Sequence, residues 1–420
     1  MGARRRAVAQ LLPLVGLTAA CGMLAYSFYI NGVGRWRLQD AAQRPAVHEE
    51  AFTRYQCTGE ELRQDEIYTA PFRFHVYNDM PEELLDDVIR RAEKYWLPDH
   101  SNNQFITEIG LAKDMPLHPC HTDDPEKADV FIIPVQTVSM IWLTREEGQN
   151  DGGRKAFAEI MKWLQTKPSF QRTQGRDHYA TAVAWDTGRR AFGDVNLIGP
   201  ETPTDFHNDM KGYSLDRYMH GLHDIVIPYP DPDSTAHYTE EKLASIPRVN
   251  LAGFAGSHIG RIRNRVHDQA MDYNKRHDTN KVMWEVIPHR EGTQALQLLP
   301  SAIFGPVMSG DSLSSRRLFS LVFAGTIPVI ISDRLMLPYE DVLDYTSFAI
   351  FFSEKDVLDH PDMNIFDILA QQPESEIKRL QRNGQRVKRH FVYHEGRPEP
   401  GDAFDMLVRQ LAQQEVFVSS

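Results

Sequence analysis

Cysteine is scarce, with three in 420 residues. No Cys-x-x-Cys pair and no Cys/His cluster occurs, which removes a structural zinc module. Cys21 sits in an apolar run, so Cys57 and Cys120 alone are left for a disulfide, a pairing that sequence does not establish. No Asn-x-Ser/Thr sequon is present, so glycosylation gives no sign of compartment. Basic residues are outnumbered, 46 against 58 acidic, for a net charge of −12. That balance argues against a nucleic-acid binder, which needs a basic face. It leaves room for a local basic pocket. Seventeen histidines show no His-Glu-x-x-His spacing, so a zinc hydrolase is unsupported. No internal repeat or low-complexity tract stands out.

The composition is 41% hydrophobic and 25% charged, that of a globular chain. Its length favours two domains. Residues 7–30 carry no charge and are mostly apolar. As a helix at ~1.5 Å per residue they reach roughly 36 Å, enough for a hydrocarbon core of about 30 Å. Arg4, Arg5 and Arg6 precede the run and hold the amino terminus in the cytosol by the positive-inside rule. Tyr26, Phe28, Tyr29 and Trp36 suit the far interface. The reading is a signal anchor over 7–30 behind a cytosolic tail, 1–6. The alternative is a cleaved signal, for which Ala19 and Ala20 are plausible small residues. Residues 31–70 are polar and patternless and read as a stem.

From Phe72 onward strand-like and helix-like segments alternate. Strands are expected over 72–78, 128–135, 179–185 and 224–230, with helices over 82–97 and 153–165. A second series starts near Arg248. It runs through strand "NLAGFAG", a helix over 260–275, strand 301–308, a helix from Arg316, strand "TIPVIIS" and strand 347–353. Helices are also expected over 374–390 and 401–417, the last packing back across the domain junction. Two α/β series predict two Rossmann-like domains, 71–247 and 248–395, followed by a helix and tail over 396–420. The ligand cleft belongs at strand carboxyl ends.

The segment 301–341 carries the most chemistry. A buried strand runs into Ser309, Gly310, Asp311 and Ser312, and Ser314 and Ser315 open a helix. Serines suit a helix start, where free amides can face an anion. Arg316 and Arg317 place positive charge at that same end, where the helix dipole disfavours it unless an anion offsets it. A diphosphate would. The plainer alternative is a solvated loop with two surface arginines.

These residues resemble the exostosin-like glycosyltransferases. The likeness rests on Gly310-Asp311-Ser312, Ser315-Arg316-Arg317, "PVIISD" (328–333), "LPYEDVLDY" (337–345) and "FAIFFSEKDV" (348–357). Weaker matches are "DPEKADVFIIPV", "GRDH" (175–178), "HDIVIPYP" and "LAGFAG…RIRNRV". The resemblance implies a GT-B arrangement. A carboxyl-terminal domain holds a nucleotide-sugar, commonly a UDP-sugar, and an amino-terminal domain meets a glycan acceptor. It also implies inverting transfer in the Golgi lumen by a single-pass type II protein. No metal or other cofactor is required, and nucleic acid is not a partner. An oligomer with itself or with another glycosyltransferase is compatible.

Gly256, Arg263, Ser309, Gly310, Asp311, Ser312, Ser314, Ser315, Arg316, Arg317 and Ser320 are the candidate donor residues. Relatives place Glu or Asp at the position of Ser320, where the carboxylate is expected to bind ribose. Losing such a charge-assisted bond costs about 1.5–3 kcal/mol, roughly 10–150 fold in affinity. That departure leaves a second reading, a non-catalytic glycan- or nucleotide-binding subunit. Asp177 and His178 are candidates for the catalytic base, against a structural reading as a turn cap and a satisfied buried histidine. His223 and Asp224 are runners-up. Trp185 and Asp186 are candidates for the acceptor side. Asp231-Pro232-Asp233 spells a two-carboxylate motif, but a proline-rich turn explains it, and no metal site is assigned.

Overall fold

In the computed structural model, residues 72–81, 107–135, 154–183, 185–193, 195–200, 224–230, 239–257, 260–286, 299–310, 312–394 and 396–418 are described. The proposed anchor over 7–30, the stem, helix 82–97, Asp311, His223 and the 231–233 motif lie outside them. No helix among the described residues is long and apolar enough to cross a membrane.

Two five-stranded sheets form, each wholly parallel. The first holds β1 (Phe74–Val76), β2 (Val130–Ile133), β3 (His178–Thr181), β4 (Asn196–Gly199) and β5 (Ile225–Val226), side by side in chain order. Between them run α1 (Thr107–Asp114), α2 (Arg154–Leu164), α3 (Pro168–Thr173) and α4 (Trp185–Phe192). The strands are apolar on both faces because helices cover both faces. Phe131, Ile133, Ala180 and Leu197 pack against Phe157, Ile160 and Leu164 of α2. Phe74, Ile132 and Ile198 face the other way, toward Leu111 of α1.

After α5 (Glu240–Ser245) the second sheet begins. It contains β6 (Asn250–Gly256), β7 (Val282–Val286), β8 (Ala302–Met308), β9 (Ile327–Ile331) and β10 (Ile350–Phe352), in the order β10-β9-β8-β6-β7. Its helices are α6 (Arg261–Arg276), α7 (Arg317–Phe323), α8 (Glu354–Asp359), α9 (Ile365–Ala370) and α10 (Glu374–Val387). One face of the sheet packs on α6, α8 and α9 through Val266, Ala270, Val357 and Phe366. The opposite face packs on α7 through Leu321 and Phe323.

The last helix, α11 (Ala403–Val418), returns to the first domain. Its Phe404, Leu407, Val408 and Leu411 complete the core beneath β1 and β2. Polar contacts accompany this return. Gly396 N donates to Asp114 Oδ1 at 3.0 Å, and Tyr393 Oη donates to Pro228 O at 2.8 Å. His118 Nε2 lies 3.5 Å from Asp405 Oδ1. The helix expected over 401–417 is therefore present and does cross the junction.

Some boundaries move. The run 179–185 is strand only to Thr181, and Trp185 begins α4. Strands β4 and β7, and helices α1, α3, α8 and α9, were not expected from the pattern. Cys120 is fully buried and disulfide-bonded. Cys57 lies outside the described residues.

Candidate nucleotide-sugar site

The second sheet changes direction at β6. From that first strand the chain moves outward to β7 and then back to β8 on the other side. Parallel sheets open a crevice at such a point, outside the strand carboxyl ends. The ends here are Gly256 of β6 and Met308 of β8, followed by Ser257 and by Ser309-Gly310.

Two arginines meet there, and each crosses to the opposite strand. Arg263, from the helix that follows β6, donates from Nε to Ser309 O at 2.9 Å, beyond the end of β8. Its Nη1 also donates to Ser257 O and Oγ, both at 2.9 Å. Arg317, from the helix that follows β8, donates from Nη2 to Ala255 O in β6. A Cβ on Gly256 would collide with Arg317 Nη2, and one on Gly310 with Arg263 Nη2. Glycine at both strand ends is what lets the guanidinium groups lie against the backbone.

Arg317 is crowded by protein and by two like charges. Desolvation, then Arg263 and Arg316, pull its pKa down to about 9. It still carries its charge at neutral pH, held by a carbonyl oxygen and by the face of Phe254, 4.1 Å from the guanidinium carbon.

The serines knit the loop. Gly310 N donates to Ser312 O at 2.8 Å, and the Ser312 and Ser314 hydroxyls are 3.1 Å apart. Ser314 Oγ lies 3.0 Å from the hydroxyl of Tyr229, which follows β5 of the first domain. Ser315 Oγ accepts from Arg317 N at 3.3 Å. The expected serine cap is thus present only as this long contact. Helix α7 has seven residues, too few for a strong terminal field, so the positive charge resides in side chains.

Ser320 is placed elsewhere. It is 1% exposed, and its Oγ donates to Arg316 O at 3.4 Å, within its own helix.

Asp177 and His178 stand at the amino end of β3, opposite to the end where a parallel sheet binds ligands. His178 is wholly buried and stacks on Phe131 at 4.7 Å. Burial lowers its pKa, with the Asp177 hydrogen bond opposing. Nδ1 is 2.6 Å from Asp177 Oδ1 and Nε2 is 2.8 Å from Tyr77 Oη. Both ring nitrogens are taken by protein partners and the ring is closed off from solvent, so no acceptor hydroxyl reaches it. Thr173 Oγ1 donates to Asp177 Oδ1 at 2.5 Å. This geometry is that of the structural alternative, tying β3 to β1 and α3. Asp224, a runner-up, is held by Arg189 through bonds of 2.6 and 2.8 Å. Trp185 and Asp186 open α4, close after the carboxyl end of β3.

The sequence reading did not single out Phe254, Ser257, Tyr229 or Glu108. Glu108, 1% exposed on α1, accepts from Val183 N at 2.8 Å and anchors the carboxyl end of β3. An aromatic two positions before a strand-end glycine, with an arginine seven residues further on, was the available signal for Phe254.

These features define a two-domain α/β protein with a cationic crevice at a topological switch. The exostosin GT47 domain matches residues 69–366, most of the chain. The chain belongs to that family, whose named relatives are glycosyltransferases. A probable glycosyltransferase of Arabidopsis thaliana is 25% identical over 82% of this chain and 72% of its own length. Xyloglucan galactosyltransferase MUR3 of Arabidopsis thaliana is 24% identical, over 78% of this chain and 55% of its own. Probable arabinosyltransferase ARAD1, from the same plant, is 25% identical over 69% and 62%. The chain thus spans little more than half the length of the second and third relatives.

Proposed function

We propose that the protein transfers a sugar from a nucleotide-diphosphate donor, a UDP-sugar, to a polysaccharide or glycoprotein glycan, with inversion. The observation that carries this reading is the crossed pair Arg263 and Arg317 at the ends of β6 and β8. In the reaction an acceptor hydroxyl oxygen bonds to the anomeric carbon. The bond from that carbon to the phosphate oxygen breaks, and its electron pair leaves on the diphosphate. The hydroxyl proton passes to a base. The two guanidinium groups meet the charge that develops on the leaving diphosphate. They supply positive charge without a metal, so no cofactor is invoked. In this reading Gly256, Ser309, Gly310, Asp311, Ser312, Ser314, Ser315 and Arg316 frame the donor, and Trp185 and Asp186 serve the acceptor.

The setting proposed is the Golgi lumen, with residues 7–30 as a type II anchor and an association with itself or another transferase. A disulfide at Cys120 suits an oxidising compartment. A second reading, a non-catalytic binding subunit, draws on the buried Ser320, which leaves the ribose without the usual carboxylate.

The test is calorimetry of the full chain in detergent with UDP, GDP and their sugars. Arg317→Ala should weaken UDP binding about 10–150 fold. Unchanged binding in that variant would sink the donor assignment. UDP binding without transfer to any glycan acceptor would favour the subunit reading.

A further inference from the structure

The crossed arginines share one support. Phe254 lies on β6, and its ring is 2% exposed. On one side it stacks on Trp284 of β7, with centroids 4.2 Å apart and planes at 23°. The Arg317 guanidinium carbon stands 4.1 Å from its centroid and that of Arg263 5.7 Å. One aromatic ring therefore meets both cations from two different helices.

The physical problem at this site is to hold like charges together without neutralising them. A carboxylate would hold Arg317 well, but an incoming diphosphate would then have to displace it. An aromatic face attracts a guanidinium plane through its quadrupole and carries no charge to be displaced. Backbone carbonyls, here Ala255 O, Ser257 O and Ser309 O, act the same way, since they accept hydrogen bonds and leave the net charge intact. Trp284, stacked on the ring, packs Phe254 in place.

We propose that Phe254 is a positioning residue for the donor diphosphate, holding Arg317 and Arg263 adjacent and aimed across the β6–β8 crevice. This rests on the donor reading given above. Phe254 itself does not touch the ligand. It acts through the two guanidinium groups, by the electron density of its face as much as by its shape.

Shape and electron density can be separated. Replacing Phe254 with its mono-, di- and trifluorinated phenylalanine analogues leaves the ring's size nearly unchanged and weakens its face stepwise. Binding of UDP and of inorganic pyrophosphate would be measured by calorimetry on the full chain in detergent, with thermal midpoints confirming the fold. Affinity for both probes should fall with each fluorine, by about tenfold across the series. Affinity independent of fluorination, with Arg317→Ala still weakened, overturns the role of Phe254 and leaves the donor reading standing. Binding unchanged in Arg317→Ala, or no binding of either probe by any of these proteins, overturns both.

Discussion

The two domains hold positive charge in opposite ways. In the first, Arg189 is 2% exposed and meets Asp224 through two bonds, with a third to Val195 O. Asp224 also accepts from Leu197 N, so the pair locks β4 and β5 into register. In the second domain, Arg248 and Arg317 rest on oxygens that carry no full charge. Arg248 donates to Ala302 O at 2.7 Å and to Ala324 O at 3.0 Å, which staples the amino end of β8 to the end of α7. Arg317 lies at the opposite, carboxyl end. An acid-paired cation is electrically closed and serves structure. A carbonyl-held cation keeps its charge, and its place along the strand decides whether that charge is offered to a ligand. Arg248 faces the wrong end for a ligand, and Arg317 the right one.

Breaking the closed pair should have the largest effect. Arg189→Met leaves Asp224 buried without its partner, and a loss of about 3–5 kcal/mol is expected in denaturant unfolding. A loss below about 1 kcal/mol would show that the pair contributes little more than its surroundings do. The matching removal of Arg317 takes away a cation that lies beside like charges, so it should cost ligand affinity rather than stability.

His390 extends the contrast to pH. It is wholly buried, its Nδ1 is 2.7 Å from Gly401 O, and burial lowers its pKa to about 4. Between an unfolded value near 6.5 and that folded value the unfolded chain binds more protons, so stability falls as pH falls through this window. From pH 7 to pH 5 the expected loss is about 2 kcal/mol, read from denaturation midpoints. His390→Asn should flatten that dependence, and an unflattened curve would assign it to other groups.

The crevice should respond in the other direction. Arg317 is charged below its pKa of about 9 and loses its proton above it. The ratio of wild-type to Arg317→Ala affinity for UDP, which cancels the titration of the nucleotide itself, should stay level from about pH 6.5 to 8 and fall about tenfold by pH 10. A level profile to pH 10 would place the binding charge on another residue.

How much of this was legible in sequence depended on the range of the interaction. The apolar runs of β2, β8 and β9 and the periodic helices α2, α6 and α10 announce themselves locally, and so did the two-domain division. Strands β4 ("NLIG") and β7 ("VMWEV") did not, being short and lacking a clean alternation. Helices α8 and α9 did carry signals, since Ser353 and Asn364 cap them by accepting from Asp356 N and Phe366 N. The site was half legible. Arg317 and the serine loop are contiguous, so a motif reveals them. The partnership of Arg317 with Gly256, Arg263 with Gly310, and both with Phe254 exists only because β6 and β8 are neighbours. That adjacency is a property of strand order, which spacing along the chain does not encode.

Ser320 gives the smallest expected effect and the sharpest check on reading a role from motif position. Its place in the pattern suggested contact with the donor ribose. In the fold it is buried, and its hydroxyl meets Arg316 O at the weak distance of 3.4 Å. Removing that hydroxyl leaves only a carbonyl that already accepts from Phe319 N and Ser320 N. Ser320→Ala should therefore change stability by less than ~0.5 kcal/mol and UDP affinity by less than about twofold. A larger drop in affinity at unchanged stability would mean that α7 turns on donor binding to bring this face into the crevice. The crossed arginines would then have to be redrawn, because Arg317 sits on the same helix and would turn with it.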